Sequence, residues 1–311
     1  MGDFLGAVGD VLTSSTFYAS AARLSALLMF AAVGELVAER AGTLNISVEG
    51  MFLSGAFASA LGYHLTGSVV LGLVVGIAGG LLIAALQANL SHRLPADQFV
   101  VGLTLNVLVV GLAAFLDSNI KPVVEAASVL EIPLLSDIPL IGPALFGQTW
   151  PVYLIYPLVP AIGWLLYRTR WGLEVRAVGE NPQSADVSGI HVNKRRRQSI
   201  YVSGLAAGLA GGVFVLGLIG SFDVGMVGGR GFVAIAAVIF GGWTVKGTVA
   251  GSLLFGVADS FRFTLPSLGY QVNPNLLAAM PYILTLAVMM FFAYRSRQPR
   301  ALAQPFIRGL R

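Results

Sequence analysis

The sequence contains no cysteine, so disulfide bonds and thiol chemistry play no part in its fold or function. Charged residues are also scarce: they make up 11% of the 311 residues, whereas a soluble domain usually contains about 25%. Hydrophobic residues account for 56% of the chain, and the mean hydropathy is +0.80. A surface with so few charges is poorly solvated by water, so we predict that the chain lies in a lipid bilayer.

Recognisable catalytic groupings are missing as well. We find no glycine-rich phosphate loop ending in Lys-Ser/Thr, no His/Cys/Asp cluster at metal-ligand spacing and no Ser–His–acid grouping. The three histidines, at positions 64, 92 and 191, lie far apart in the sequence. We therefore expect that the chain is not an enzyme and that it has no catalytic residue, no metal site and no cofactor of its own.

Long uncharged runs dominate the sequence instead. A helix needs about 20 apolar residues to cross the hydrocarbon core, and continuous runs favour helices over a barrel. We predict an all-α polytopic membrane protein with about 9–10 transmembrane helices, some of them broken or re-entrant. The predicted spans are 17–38, 48–66, 69–90, 98–116, 150–167, 198–219, 231–243, 248–264 and 276–294. Of these, 231–243 is too short for a full crossing.

The basic residues predict the orientation of these spans. Two polar loops interrupt the apolar pattern, an acidic, proline-containing loop at 117–149 and a basic loop at 168–197. With the 168–197 loop in the cytoplasm, about 15 of the 19 Lys and Arg residues fall on the cytoplasmic side. The 117–149 loop is then extracytoplasmic and the C-terminus cytoplasmic. This asymmetry explains the net charge of +4, so we expect no nucleic-acid partner.

The stretch "ERAGTLNISVEGM" (39–51) places polar residues between two apolar spans. Gly42 can end the first helix, and Asn45 or Ser47 can cap the next, with Glu49 in its first turn. An ordinary cytoplasmic turn and a helix broken within the membrane both fit this pattern. Transporters use such breaks to hold polar substrate groups, and an intramembrane carboxylate indicates function by default. The residues alone leave both readings open.

The stretch "GENPQSADVSG" (179–189) predicts a short helix of about six residues. Asn181 is a natural N-cap, Pro182 fits the first helical position, and Gly189 ends the element. A solvated connector and a docking helix for a soluble partner are both compatible with it. The basic run that follows, Lys194–Arg197, favours contact with anionic lipid headgroups.

Small residues recur three or four apart in "GLVVGIAGG" (72–80) and "GLAAGLAGG" (204–212), a spacing typical of close helix packing. The stretch "GMVGGRGF" (225–232) is less helical, and with Phe222 we expect it to form a loop at the outer end of the substrate path. Isolated polar residues within spans are more often hydrogen-bond partners between helices than ligands: Glu35, Asn106, Asp259 and Arg262. Asn106, in an otherwise apolar span, is the one we expect nearest the cavity.

Three stretches together carry a family resemblance: "ERAGTLNISVEGMFLSGAF", "RTRWGLEVRAVGENPQSADVSGI" and "GRGFVAIAAVIFGGWTVKGTVAGSLLFGVADS". They resemble the permease subunits of bacterial ABC importers for simple sugars and nucleosides, and are nearest the purine nucleoside branch. In that branch Glu follows the Asn-Ile-Ser-Val run, whereas more distant sugar permeases have Gly there. The similarity runs from about residue 16 to residue 294 in consistent order.

The resemblance implies that residues 1–311 form a single permease domain in the bacterial inner membrane. It implies nucleoside import by alternating access, with a simple sugar such as ribose or galactose as the alternative solute. The implied partners are a second permease, identical or not, cytoplasmic ATPase subunits that bind ATP-Mg, an extracytoplasmic solute-binding protein, and membrane lipid.

Site residues follow from the same match. The implied substrate-binding residues are Asn45, Ser47 and Glu49, to which the positions of Asn106 and Phe222 in the sequence add two more. The implied ATPase-coupling segment contains Glu180, Asn181, Pro182, Ala185 and Gly189. A rival class is an ion-coupled secondary transporter, which requires an intramembrane carboxylate such as Glu35 or Asp259. A membrane enzyme requires a catalytic cluster, which the sequence does not contain.

Overall fold

The computed structural model describes residues 9–94, 96–270 and 298–307, together with single positions between 273 and 290. Helices make up most of this part of the chain. In chain order they are α1 (Ser15–Arg40), α2 (Val48–Thr66), α3 (Val69–His92), α4 (Gln98–Ile120), α5 (Ile141–Phe146), α6 (Ile155–Arg168), α7 (Arg170–Glu180), α8 (Pro182–Val187), α9 (Val192–Gly212), α10 (Arg230–Phe240) and α11 (Val245–Ser267).

Shorter elements complete the description. Two 3₁₀ turns lie at Trp150–Leu154 and Val224–Met226, and a π-helical segment, Val213–Ile219, extends α9. Strands β1 (Val129–Glu131) and β2 (Gly147–Thr149) pair antiparallel, with Val129 opposite Thr149. The predicted 117–149 loop therefore contains a small sheet and the short helix α5, but no long helix.

Burial separates inner from outer helices. We compare the share of buried residues in the most apolar stretch of each long helix. This share is 89% in α1 and 78% in Val192–Ile219, but 33% in α3 and in α4. The outer helices expose large apolar side chains, such as Val107 at 74% and Phe115 at 65%. Apolar side chains left outward on long helices suit contact with lipid tails. The core therefore centres on α1, α2 and α9, with α3 and α4 around it.

Glycines bring α2 and α3 into close contact with α9. A Cβ on Gly55 of α2 would meet the backbone of Gly208 on α9, and a Cβ on Gly80 of α3 would meet the carbonyl of Gly204. In lipid no hydrophobic effect drives helices together, so close packing of backbone against backbone supplies the attraction between them. The packing role predicted for 72–80 and 204–212 is thus confirmed.

The predicted spans correspond to observed helices from the first through the eighth, and the short span 231–243 is the 11-residue helix α10. Among the described residues, five elements are long and apolar enough to cross a membrane: Ser15–Arg40, Val69–His92, Gln98–Ile120, Trp150–Arg168 and Val192–Ile219. The ninth span, 276–294, lies mostly outside the described residues. One boundary differs clearly, because α9 begins at Val192 rather than 198. Lys and Arg are good helix formers, so the basic run joins the helix.

Candidate functional site

The connection between α1 and α2 is a break in the helical backbone. Gly42 follows the end of α1 with φ +80°, and residues 43–47 are non-helical until α2 starts at Val48. A side chain at position 42 would be strained by this φ and would also approach Gly179 and Arg196 closely. Ser47 occupies the N-cap position of α2 but makes no capping hydrogen bond. The expectation that Asn45 or Ser47 caps α2 is therefore wrong.

A buried polar network holds this break instead. The side-chain amide of Asn45 donates to Glu35 Oε2 at 2.9 Å and to Ser203 Oγ at 3.0 Å, and Ser203 donates to the same Glu35 oxygen at 2.7 Å. Ser47 Oγ donates to Asn45 Oδ1 at 2.8 Å. All four residues are fully buried. Hydrogen bonds within the protein offset the cost of burying polar groups, so this network ties the break to α1 and α9.

Glu49 binds the N-terminus of another helix. Its Oε1 accepts from the Gly229 N–H at 2.8 Å, and its Oε2 accepts from the Gly231 N–H at 2.6 Å. These amides lie at the start of α10, where N–H groups lack helical partners and the helix dipole favours an anion. The sequence suggested that Glu49 stabilises its own helix. The structure shows that its carboxylate caps α10 and so joins the break to the 225–232 stretch. The expectation of a loop over this whole stretch is wrong, because residues 230–232 are the first turn of α10.

Asn106 supports the break from α4. Its Oδ1 accepts from the Gly50 N–H at 2.8 Å, and its Nδ2 donates to the Ile46 carbonyl at 3.0 Å. Gly50 lies in the first turn of α2, where backbone amides have no partner within their own helix. Both ends of the Asn106 amide are thus bonded to backbone on either side of the α2 start.

The residues predicted to bind substrate are therefore brought together, except for Phe222, which contacts the Phe57 ring edge-to-face at 5.2 Å. The polar atoms of the others bond to protein groups, which gives them a role in shaping the break. Their assignment to solute binding stays a prediction. Glu35 and Asn106 do act as hydrogen-bond partners between helices, and so does Asp259, whose Oδ2 lies 3.3 Å from Arg230 Nη2.

A cavity of about 560 Å³ opens beside the 225–232 stretch. This volume falls in the range of about 300–1,000 Å³ typical of small-molecule sites. It lies between α1, the π-helical segment, the 225–230 loop and α11, and none of the five predicted substrate residues lines it. Its lining residues are Ser20, Arg23, Leu24, Phe214, Leu218, Ile219, Gly225, Met226, Gly228, Arg230, Arg262 and Phe263.

Three arginines line this cavity, and two of them make it positive. Arg230 stacks 4.9 Å from the centre of the Phe214 ring, donates to the Met226 carbonyl at 2.8 Å and pairs with Asp259. Arg23 donates from Nε to Gln148 Oε1 at 2.8 Å. Within the described part of the chain, neither Arg23 nor Arg262 forms a salt bridge. The lining therefore attracts groups that accept hydrogen bonds.

Sequence reasoning missed part of this cavity. The sequence placed Arg230 in the 225–232 stretch and Arg262 among the isolated polar residues, but Arg23 entered only as one of the four basic residues outside the cytoplasmic count. An arginine inside an otherwise apolar span is a signal in itself, because such residues face protein interiors or water-filled cavities. That signal identifies both Arg23 and Arg262.

The predicted coupling helix forms as expected. Asn181 is the N-cap of α8, and its side chain accepts from the Ser184 N–H at 2.9 Å. Pro182 starts the helix, which spans six residues, and Gly189 follows it with φ +85°. Ala185 is buried, whereas Val187 is 90% exposed.

The short helix α8 therefore has an inner and an outer face. Ala185 packs with Val178 and Val192 in a small apolar cluster, and Glu180 is exposed beside it. The inner face fixes α8 to α7 and α9, and the outer face is available for a docking contact. The coupling role of this helix stays a prediction.

The curated relatives cover almost the whole chain. It is 34% identical to the guanosine ABC transporter permease protein NupQ of Bacillus subtilis, over 92% of this chain and 95% of that protein. It is also 34% identical to the nucleoside ABC transporter permease protein NupC of Lactococcus lactis subsp. cremoris, over 88% and 91%. TsgC13 of Haloferax volcanii, provisionally named a glucose ABC transporter permease, matches at 34% over 91% and 95%.

A solved structure shares the fold. An inward-facing metal-chelate type ABC transporter matches with a TM-score of 0.52 at 15% identity, over 89% of this chain and 84% of that chain. This likeness confirms the predicted all-α polytopic architecture.

The family model described as branched-chain amino acid transport system / permease component matches residues 17–293. This range contains the α1–α2 break, the arginine-lined cavity and the α8 helix. The chain therefore belongs to this family of permease components, and it is a multi-pass membrane subunit of the ABC transporter type.

Proposed function

We propose that this chain is the permease of an ABC importer that moves nucleosides, with purine nucleosides favoured, across the cytoplasmic membrane. The observation that carries the proposal is the similarity to two nucleoside permeases, NupQ and NupC, over about nine-tenths of the chain. The equal identity to TsgC13 makes a simple sugar the second candidate.

The chemistry of the cavity favours the nucleoside. A purine base has a planar face that can stack on Phe or on a guanidinium, and edge acceptors that pair with the two-pronged donor of Arg. Phe263 and Arg262 line one cavity, so an aromatic face and a guanidinium lie beside the same space. A sugar has hydroxyls but no aromatic face, so it uses this combination less well.

Glu49 connects the cavity to the break in this proposal. Its carboxylate holds Gly229 and Gly231, which flank the cavity-lining residue Arg230. A change at the α1–α2 break therefore moves the cavity wall through Glu49. Asn45, Ser47, Asn106 and Phe222 complete the proposed path by fixing the break and the outer loop.

The proposed transporter contains further subunits. A second permease completes the path, a solute-binding protein delivers the nucleoside from outside, and cytoplasmic ATPase subunits bind ATP-Mg and dock on α8. Residues 298–307 pack against Gly42 and Gly179, at the end of the molecule that also contains Arg40 and the 168–197 segment. By the charge asymmetry of the sequence, this end and the C-terminus are cytoplasmic.

The test is uptake by the reconstituted transporter with its partner subunits in vesicles. Labelled guanosine should accumulate only with ATP, and unlabelled adenosine should compete, whereas ribose and glucose should not. Competition by glucose or ribose without competition by nucleosides would favour the sugar alternative. Uptake that proceeds without any ATPase subunit would instead identify a secondary transporter.

A further inference from the structure

Arg196 is the largest fully buried side chain in the described part of the chain. It belongs to the basic run Lys194–Arg197 in the first turns of α9, which the sequence suggested would contact lipid headgroups. A fully buried guanidinium cannot reach a headgroup. Its neighbour Arg195 forms a salt bridge with Glu174, so it too is engaged within the protein. The basic run therefore does more than attract lipid.

Arg196 binds three backbone carbonyls. Its Nε donates to Ala41 at 3.2 Å, its Nη1 to Gln304 at 2.6 Å and its Nη2 to Ala301 at 3.4 Å. Ala41 is the C-cap of α1, where carbonyls lack helical partners and the helix end is partially negative. The planar fork of arginine holds its donors in fixed directions, which suits bonds to carbonyls of separate segments. One side chain thus joins the end of α1 to the C-terminal tail, residues 298–307.

The C-terminal tail also bonds directly to both neighbouring segments. The Ala303 N–H donates to the Gly42 carbonyl at 3.2 Å, and the Ala301 N–H donates to the Gly179 carbonyl at 2.9 Å. Gly42 belongs to the α1–α2 break, and Gly179 precedes the coupling helix α8. The tail therefore bridges the break and the coupling segment through backbone hydrogen bonds.

Apolar packing fixes the far end of the tail. Phe306 packs against the cluster of Val178, Ala185 and Val192, in which Ala185 is the contribution of the inner face of α8. Asn193 Nδ2 donates to the Phe306 carbonyl at 3.3 Å. A displacement of α8 must therefore move the tail or break these contacts.

There is almost no free space between these parts. A Cβ on Gly179 would meet the Arg40 carbonyl, and a Cβ on Gly42 would meet Ala301, Arg196 and Gly179. Close-packed interiors transmit displacement because they compress little. The break lies directly after Gly42, so motion delivered there reaches Asn45 and Glu49 within a few residues.

We infer that Arg196 is a positioning residue for energy coupling: with the C-terminal tail, it links the coupling helix α8 to the α1–α2 break. This inference rests on the proposed function, because it assumes that an ATPase drives α8. Without Arg196, α8 can move while the break stays in place. The ATPase subunits then continue to hydrolyse ATP, but less solute is transported for each ATP molecule.

The test measures the number of ATP molecules hydrolysed per guanosine transported, using the complete transporter in vesicles at equal amounts of assembled complex. Arg196→Gln removes the charge and the fork, and a chain ending at residue 297 removes the tail. Phe306→Ala is the milder variant, since it weakens tail packing but leaves Arg196 paired. The matched control is Lys194→Gln, which removes one exposed charge from the same helix.

We expect the ratio to rise about tenfold or more in Arg196→Gln and in the shortened chain, and severalfold in Phe306→Ala. Lys194→Gln should stay within about twofold of the unchanged protein. A purely structural role lowers the amount of complex but leaves the ratio unaltered. An unchanged ratio in assembled Phe306→Ala complexes, or in either stronger variant that assembles, overturns the inference. Absence of ATP-driven guanosine uptake by the unchanged transporter instead overturns the proposed function.

Discussion

Glu49 and Gly231 are joined by a hydrogen bond of 2.6 Å, in which the Gly231 N–H donates to Glu49 Oε2. The two residues approach so closely that a Cβ on Gly231 would meet the Glu49 backbone. The start of α2 and the start of α10 are therefore one structural unit. This unit stands between the α1–α2 break and the arginine-lined cavity.

Removing the Glu49 carboxylate should disconnect the α1–α2 break from the arginine-lined cavity. Glu49→Ala leaves the Gly229 and Gly231 amides without their acceptor, and hydrogen bonds to charged groups contribute about 1.5–3 kcal/mol each. We expect the complex to assemble and guanosine uptake to be lost. Glu49→Gln keeps the size and one acceptor, so it should retain partial uptake. Uptake at the normal rate by Glu49→Ala would contradict the site.

Asn106→Leu should destabilise the protein. It leaves the Gly50 N–H and the Ile46 carbonyl unpaired, and each unsatisfied buried group costs about 1–3 kcal/mol. We expect a clearly lower thermal unfolding temperature in detergent. The control is Asn119→Ala, an exposed amide near the end of the same helix, which should be nearly neutral. Equal stability of the two variants would show that the Asn106 contacts contribute little.

A methyl group at the crossing of α2 and α9 should separate these helices. At Gly55 the added Cβ meets the Gly208 backbone, which cannot rotate away. Overpacking of this kind costs about 1–3 kcal/mol. Gly111→Ala on α4 is the matched control, because nothing lies within contact distance of its Cβ. Thermal unfolding should distinguish Gly55→Ala from this control, and a similar effect of both changes would count against close packing.

Arg262→Gln tests the cavity itself. If the guanidinium meets acceptors on the solute, its loss should raise the half-saturation concentration for guanosine uptake about tenfold, with assembly unchanged. Lys121→Gln, which removes a cation from the same predicted side of the membrane but not from this cavity, should have no effect. The same half-saturation concentration in both variants would show that the solute binds outside this cavity.

Pro182→Gly combined with Ala185→Asp should weaken stimulation of the partner ATPase. Glycine removes the preset backbone angle at the start of α8, and an aspartate at the buried position 185 disrupts packing with Val178 and Val192. Asn181→Ala, which removes only the cap, should have a smaller effect of about 1 kcal/mol on the local helix. Undiminished stimulation in vesicles would count against coupling through α8.

The amino-acid sequence by itself determined the helical spans, because the length of an apolar run is a local property that the bilayer turns directly into a helix. It also determined α8, since Asn181, Pro182 and Gly189 act on their own neighbours. Only the tertiary structure decided the roles of Glu49, Arg23 and Arg196. Each depends on partners more than 100 residues away. Whether a charge in an apolar span is capped, buried or open to a cavity follows from packing, which no local pattern records.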